Sequence, residues 1–256
     1  GYNHDDEGEF ISEDQSENYI GSMGGDRKKS LGLHEDEVKL LQEVGPVNDK
    51  STVVLIGGNM IMMTEWYGCV NAVMMAYYPG MEGGTAIAEI IYGDVNPSGK
   101  LPYVVPYSED DLPHVDWEAT DQYYEYYHGY TRLEKNGVKP LIPYGYGLSY
   151  TTFEITDPKA ETDGTNLKVR AKVKNTGDRD GDEVVQVYVG FEHSAVDRPV
   201  KQLRGFQRVS LKAGEEKVVE IVTPLEKLKW YNPVYREWQL EHMEYPIYVG
   251  SSSAEE

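Results

Sequence analysis

A chain of 256 residues, 39% hydrophobic and 11% aromatic, is long enough for two domains with a core each. Its formal charge of −20 argues against nucleic acid and anionic membrane surfaces as partners, because both would be repelled. The single cysteine, Cys69, cannot close an internal disulfide, so the fold rests on packing, and no apolar run approaches the length needed to cross a bilayer.

The chain opens on an acidic, polar stretch. From His34 to Val44 the spacing predicts a helix that puts Val38 and Leu41 on one face with Leu40 beside them, and with acids in its first turn, as the helix dipole prefers; Gly45-Pro46 ends it. Thr52-Val53-Val54-Leu55-Ile56, closed by Gly57-Gly58, is a continuous apolar run, and Val70 to Ala76 is another. Such runs suit strands buried on both faces of a parallel sheet. A helix is expected from Gly84 to Tyr92, so the first part of the chain reads β, α, β, α. Asp116 to Tyr130 is dense in tyrosine and acids and reads as a long surface segment.

Near Tyr150 the period changes to two. Leu167-Lys168-Val169-Arg170-Ala171-Lys172-Val173-Lys174 alternates strictly, and turn signals such as Asn175-Thr176-Gly177-Asp178 recur between short strands. Val184 to Val189, Val209 to Leu211, Val218 to Val222 and Tyr245 to Val249 supply further strands of an antiparallel sandwich, wet on one face and buried on the other. The boundary falls between Ser149 and Asp157, giving domains 1–150 and 151–256.

Two segments carry a more specific message. Tyr78-Pro79-Gly80-Met81-Glu82-Gly83-Gly84 running on to Gly93-Asp94-Val95-Asn96-Pro97-Ser98-Gly99-Lys100-Leu101-Pro102, and Pro140-Leu141-Ile142-Pro143-Tyr144-Gly145-Tyr146-Gly147-Leu148-Ser149-Tyr150-Thr151-Thr152-Phe153, closely resemble glycoside hydrolase family 3. The resemblance runs over nearly the whole chain. It implies a mostly parallel, flavodoxin-like α/β sandwich domain followed by an all-β fibronectin-III-like sandwich. It also implies a retaining exo-acting β-glycosidase, in the first instance a β-glucosidase, with β-xylosidase as the alternative enzyme. Nothing in the sequence resembles the (β/α)8 barrel that carries the family's nucleophile, so the chain is expected to be one part of an enzyme whose barrel lies on another chain or segment. The expected substrate is a β-linked glucoside or oligosaccharide, and no cofactor is needed.

Retaining glycoside hydrolysis uses two carboxyl groups roughly 5 to 5.5 Å apart, one attacking the anomeric carbon and one protonating the leaving oxygen. The resemblance places the acid/base on the Glu-Gly pair in Asp5-Asp6-Glu7-Gly8-Glu9-Phe10-Ile11, upstream of Gly25-Asp26-Arg27. Glu7 is the matching residue and Glu9 its rival. The neighbouring carboxylates would favour keeping one of them protonated, as a general acid requires. Asp26 and Arg27 are expected to support that loop through an ion pair or hydrogen bonds.

Other chemistry fits less well. Asn3, Asp5, Glu7, Gly8 and Asp14 loosely mimic a calcium loop, but position one is Asn, position twelve is Asp, and there is no room for an entering helix. Gly57-Gly58 lacks the Gly-x-Gly-x-x-Gly spacing of a dinucleotide turn. Cys69 reads as core, and His4, His114 and His128 are too scattered for a zinc site. No metal is therefore expected. A non-catalytic sugar-binding or assembly module built from the same two domains remains the rival from another functional class. The site of action, cytoplasmic or secreted, and the oligomeric state of the complete enzyme, a homo-oligomer included, stay open.

Overall fold

The computed structural model describes residues 30–116 and 119–254. They divide into two compact units, one within Gly1–Gly80 and Val105–Glu125, the other within Met81–Val104 and Tyr126–Glu256.

In the first unit, α1 (Glu35–Val44) begins with Glu35, Asp36 and Glu37, whose charges sit at the positive end of the helix dipole. Glu37 Oε2 accepts a hydrogen bond from the His34 backbone N–H at 3.1 Å, the backward half of a capping box. Val38 is buried, as its spacing predicts, and Leu41 is partly so. Leu40 is exposed instead of joining that face: two residues along a helix rotate a side chain by about 200°, which carries Leu40 away from Val38. Strands β1 (Thr52–Leu55) and β2 (Ala72–Met75) pair in parallel, from Thr52↔Ala72 to Leu55↔Met75. Ile61, Met63, Trp66 and Val105 are buried in the same unit.

The second unit begins with α2 (Gly83–Tyr92) and α3 (Gly129–Lys135), the latter falling at the end of the stretch that reads as surface segment. The strands follow: β3 (Phe153–Thr162), β4 (Asn166–Asn175), β5 (Gly181–Gly190), β6 (Lys201–Leu211), β7 (Glu216–Pro224), β8 (Trp230–Asn232), β9 (Glu237–Gln239) and β10 (Ile247–Gly250). They form two three-stranded antiparallel sheets, β10-β5-β6 and β3-β4-β7, and a two-stranded ribbon, β8-β9. The alternation in β4 is realised: Leu167, Val169, Ala171 and Val173 turn inward while Lys168, Arg170, Lys172 and Lys174 stay on the outer face. Their inward neighbours are Val185, Val187 and Val189 of β5 and Val219 and Ile221 of β7, which together make the sandwich core. The chain is therefore an α/β fold with a small parallel sheet, followed by a β-sandwich. Among the described residues, no helix is long and apolar enough to cross a membrane.

Candidate functional site

Glu7, Glu9, Asp26 and Arg27 lie outside the described residues, as do Asn3, Asp5, Gly8 and Asp14 of the calcium-like pattern. The described residues begin at Ser30, which is held by Glu109. Three residues beyond Arg27, Ser30 Oγ donates to Glu109 Oε1 at 2.6 Å and the Leu31 N–H donates to the same oxygen at 2.7 Å. Ser30 Oγ also accepts from the Gly32 N–H at 2.9 Å. The Met62 N–H then donates to Leu31 O at 3.0 Å, and Gly32 bridges Met62 in parallel. Glu109 itself stands at the head of a short turn, Glu109–Asp111, entered through Ser108, whose Oγ accepts from the Asp110 N–H. Nothing in the sequence announces Glu109 as this anchor, because 79 residues separate it from Ser30.

The second feature of this unit is the pair of loops at the carboxyl ends of β1 and β2, the edge where open α/β sheets hold ligands. The Gly57 N–H donates to Tyr77 O at 3.2 Å, drawing the two loops together. Tyr77 has φ +53°, the left-handed region that non-glycine residues adopt at a cost and that clusters at functional sites. Gly58 lies so close to the Tyr78 ring that a Cβ there would sit 2.8 Å from it, so glycine at that position serves the approach of two loops.

In the second unit, the residues that carry the family resemblance are polar fasteners. Asn96 Nδ2 donates to Asp180 O at 3.0 Å, and Asn96 Oδ1 accepts from Ser149 Oγ at 2.9 Å and from the Tyr150 N–H at 2.8 Å. Lys100 Nζ donates to Gly147 O at 2.9 Å and forms an ion pair with Glu183 at 2.8 Å. Tyr150 OH donates to Ile90 O at 2.7 Å, and the Arg179 guanidinium donates to Gly93 O. Gln186, almost fully buried, donates through Nε2 to Gly145 O and Ser251 O and accepts from Tyr188 OH. Gly145 has φ +77°, and a Cβ there would collide with the Gln186 amide, so glycine is required twice over. This network uses up the groups it contains and offers no chemistry to a substrate.

One titratable cluster escaped the sequence reading. Lys201 Nζ lies 3.7 Å from Glu134 Oε1 and donates to Ser253 O at 2.8 Å. Burial pushes the Glu134 carboxyl up to about 7, opposed by the Lys201 charge, and burial also pulls the Lys201 ammonium down. Burial and the neighbouring Glu134 charge raise Tyr130, which stacks on Tyr144 at 4.7 Å. A carboxyl poised near neutrality suits acid/base work. Here, however, the pair ties α3 to the start of β6, and a structural role accounts for it. On the exposed side, Tyr127 OH donates to Asp197 Oδ1 at 2.7 Å, and Lys135 Nζ reaches the same carboxylate at 3.1 Å. Among the described residues, no group of three or more His, Cys, Asp or Glu is arranged to hold a metal ion. Cys69 is partly buried in the short turn Tyr67–Cys69.

Residues 7–150 match the model of the glycosyl hydrolase family 3 C-terminal domain, and residues 183–253 match that of the fibronectin type III-like domain. The chain is 36% identical over 241 residues to thermostable beta-glucosidase B of Acetivibrio thermocellus, covering 91% of this chain and 32% of that protein. It is 37% identical to an exo-alpha-(1->6)-L-arabinopyranosidase of Bifidobacterium breve, covering 91% and 31%. Among solved structures, DesR, a beta-glucosidase of Streptomyces venezuelae crystallised with D-glucose, superposes with a TM-score of 0.82 at 35% identity over 92% of this chain and 31% of that one. Beta-glucosidase 3B of Thermotoga neapolitana superposes with a TM-score of 0.83 at 32% identity over 93% and 35%. The chain thus spans about a third of the length of the relatives it matches. With the family model covering more than half of its residues and the sandwich following in the same order, the chain belongs to glycosyl hydrolase family 3, of which it carries the C-terminal domain and the fibronectin type III-like domain.

Proposed function

We propose that this chain is the acid/base-bearing part of a retaining β-glucosidase, acting with a (β/α)8 barrel that supplies the nucleophilic Asp from another chain or segment. The observation that carries this reading is the match to β-glucosidases across 91% of this chain but only a third of theirs. In it, Glu7 protonates the glycosidic oxygen as the bond breaks and then takes a proton from the water that releases the sugar, the two roles of one residue in a retaining mechanism. Asp26 and Arg27 orient that loop. β-Glucose is the first choice of terminal sugar. The arabinopyranosidase relative at equal identity is the reason to assay arabinosides and xylosides beside glucosides.

The test uses the complete enzyme. Glu7→Gln should slow hydrolysis of substrates with poor leaving groups by at least about a hundredfold, while sparing the first step on an activated aryl β-glucoside. Azide should then restore turnover, since an anion needs no general base. If Glu9→Gln shows this pattern and Glu7→Gln does not, the acid/base is Glu9. If neither does, the proposal fails, as it would if the purified chain alone hydrolysed the glucoside.

A further inference from the structure

The β8–β9 hairpin carries an aromatic surface for which the proposed reaction has no use. Tyr231 and Trp238 are directly opposite each other across the ribbon and so stand on one face, their ring centroids 5.6 Å apart at 63°. They are 47% and 64% exposed, and Tyr235 in the connecting turn is 71% exposed. The scaffold beneath is fixed by side-chain amides. Asn232 Oδ1 accepts from the Val234 and Tyr235 N–H groups at 3.0 and 3.3 Å, and Asn232 Nδ2 donates to Gln239 Oε1 at 2.9 Å. Gln239 Nε2 in turn donates to Glu237 Oε1 at 2.7 Å. Arg236, at φ +55°, closes the turn in a strained conformation. The amides thus brace the hairpin backbone while Tyr231, Trp238 and Tyr235 are left largely exposed, where burial would have contributed to folding.

We propose that the Tyr231–Trp238 face, with Tyr235 at its tip, is an accessory platform for a neutral β-glucan chain. Size argues for a narrow ligand. At 150–250 Å² per ring, the exposed fractions amount to roughly 350 Å², well below the ~800 Å² per partner of a stable protein interface. They are enough for two or three sugar rings to lay their C–H faces on the negative faces of the aromatic rings. Charge argues for a neutral ligand, since a chain at −20 repels nucleic acids and acidic polysaccharides. The choice of a β-glucan over other neutral polysaccharides rests on the β-glucosidase reading above.

The experiment is affinity electrophoresis of the full chain in native gels containing soluble mixed-linkage β-glucan, with pullulan, an α-glucan, as control. β-Glucan should retard the chain and pullulan should not. Trp238→Ala and Tyr235→Ala should each weaken the retardation by about tenfold or more, with unchanged melting temperature, whereas Phe206→Ala, exposed elsewhere on the sandwich, should not alter it. Absence of retardation, equal retardation by pullulan, or retention of full affinity in both hairpin variants would overturn the platform. So would loss of a dimer, or of association with the barrel-bearing partner, in Trp238→Ala, since the patch would then be a protein interface. Aryl β-glucoside hydrolysis by the complete enzyme, measured in parallel, separates the two ideas: turnover without retardation refutes the platform alone, and retardation without turnover refutes the catalytic reading alone.

Discussion

Replacing Asn175 should damage the second unit more than any change on its surface. The side chain is fully buried and all four of its hydrogen-bonding positions are taken. Oδ1 accepts from Thr151 Oγ1 at 2.7 Å and from the Gly177 N–H at 3.1 Å, while Nδ2 donates to Arg179 O at 2.7 Å and Leu211 O at 3.3 Å. One amide therefore joins the entry to the sandwich, the β4–β5 turn and the end of β6. Asn175→Asp keeps the shape and both acceptor bonds but turns an oxygen toward two carbonyl oxygens. Each orphaned buried acceptor costs about 1–3 kcal/mol, and an ionised carboxylate adds to this, so the loss at pH 7 should be about 3–5 kcal/mol. For a unit of this size that corresponds to a fall in Tm of about 10 °C.

The pH dependence sharpens the test. Burial raises the folded pKa of the new carboxyl above its unfolded value, so the folded state is favoured while the group is protonated and loses stability as pH rises through the folded pKa. The protonated form can also donate to one of the two carbonyls. Urea unfolding followed by far-UV circular dichroism at pH 5 and pH 7 should therefore show the gap from the parent narrowing at the lower pH. A variant within about 1 kcal/mol of the parent at pH 7, below the cost of a single orphaned acceptor, or a gap that widens on acidification, would refute the argument.

Other consequences can be measured in the same way. Glu134, raised to about 7 by burial, binds a proton more tightly folded than unfolded, so its contribution is fully present below about pH 4.5 and declines by up to about 3 kcal/mol as pH rises to 7. In Glu134→Gln that slope should vanish from the melting profile; an unchanged slope would assign it to other groups. Lys100→Met strands the Glu183 carboxylate, only 9% exposed, and should cost about 3–5 kcal/mol, most of it recovered in Lys100→Met/Glu183→Leu. A double variant no better than the single would show that the pair acts through packing. Gly145→Ala should cost about 3 kcal/mol, combining left-handed strain with displacement of the Gln186 amide. Gly164→Ala, with φ +87° but open space around it, should cost only about 1 kcal/mol. Equal costs by chemical denaturation would dismiss the close approach.

Much of the fold was legible because its signals are local. The alternation of β4 fixes which residues face the core, since successive side chains on a strand point to opposite faces whatever the partner. The run Thr52 to Leu55 and the glycines around Gly83 likewise announce a strand and a helix start, but the expected burial on both faces is not met: within β1 and β2 only Leu55 is buried, because among the described residues the sheet here has just two strands. Where the local signal is mixed, the sequence was silent. β3 has an irregular pairing with β4 between Thr156 and Lys159, and its outer half is exposed, so no clean period appears. The first half of β6 and the aromatic ribbon β8–β9 were missed for the same reason. The acid/base assignment came from motif resemblance, which a Glu-Gly pair upstream of Gly-Asp-Arg carries and no local periodicity does. Tertiary structure alone decided the long-range pairings. Ser30 with Glu109, Lys100 with Glu183 and Glu134 with Lys201 are polar residues far apart in sequence. A charged side chain has no period and no preferred partner until the backbone brings one within reach, and burial then makes that pairing obligatory.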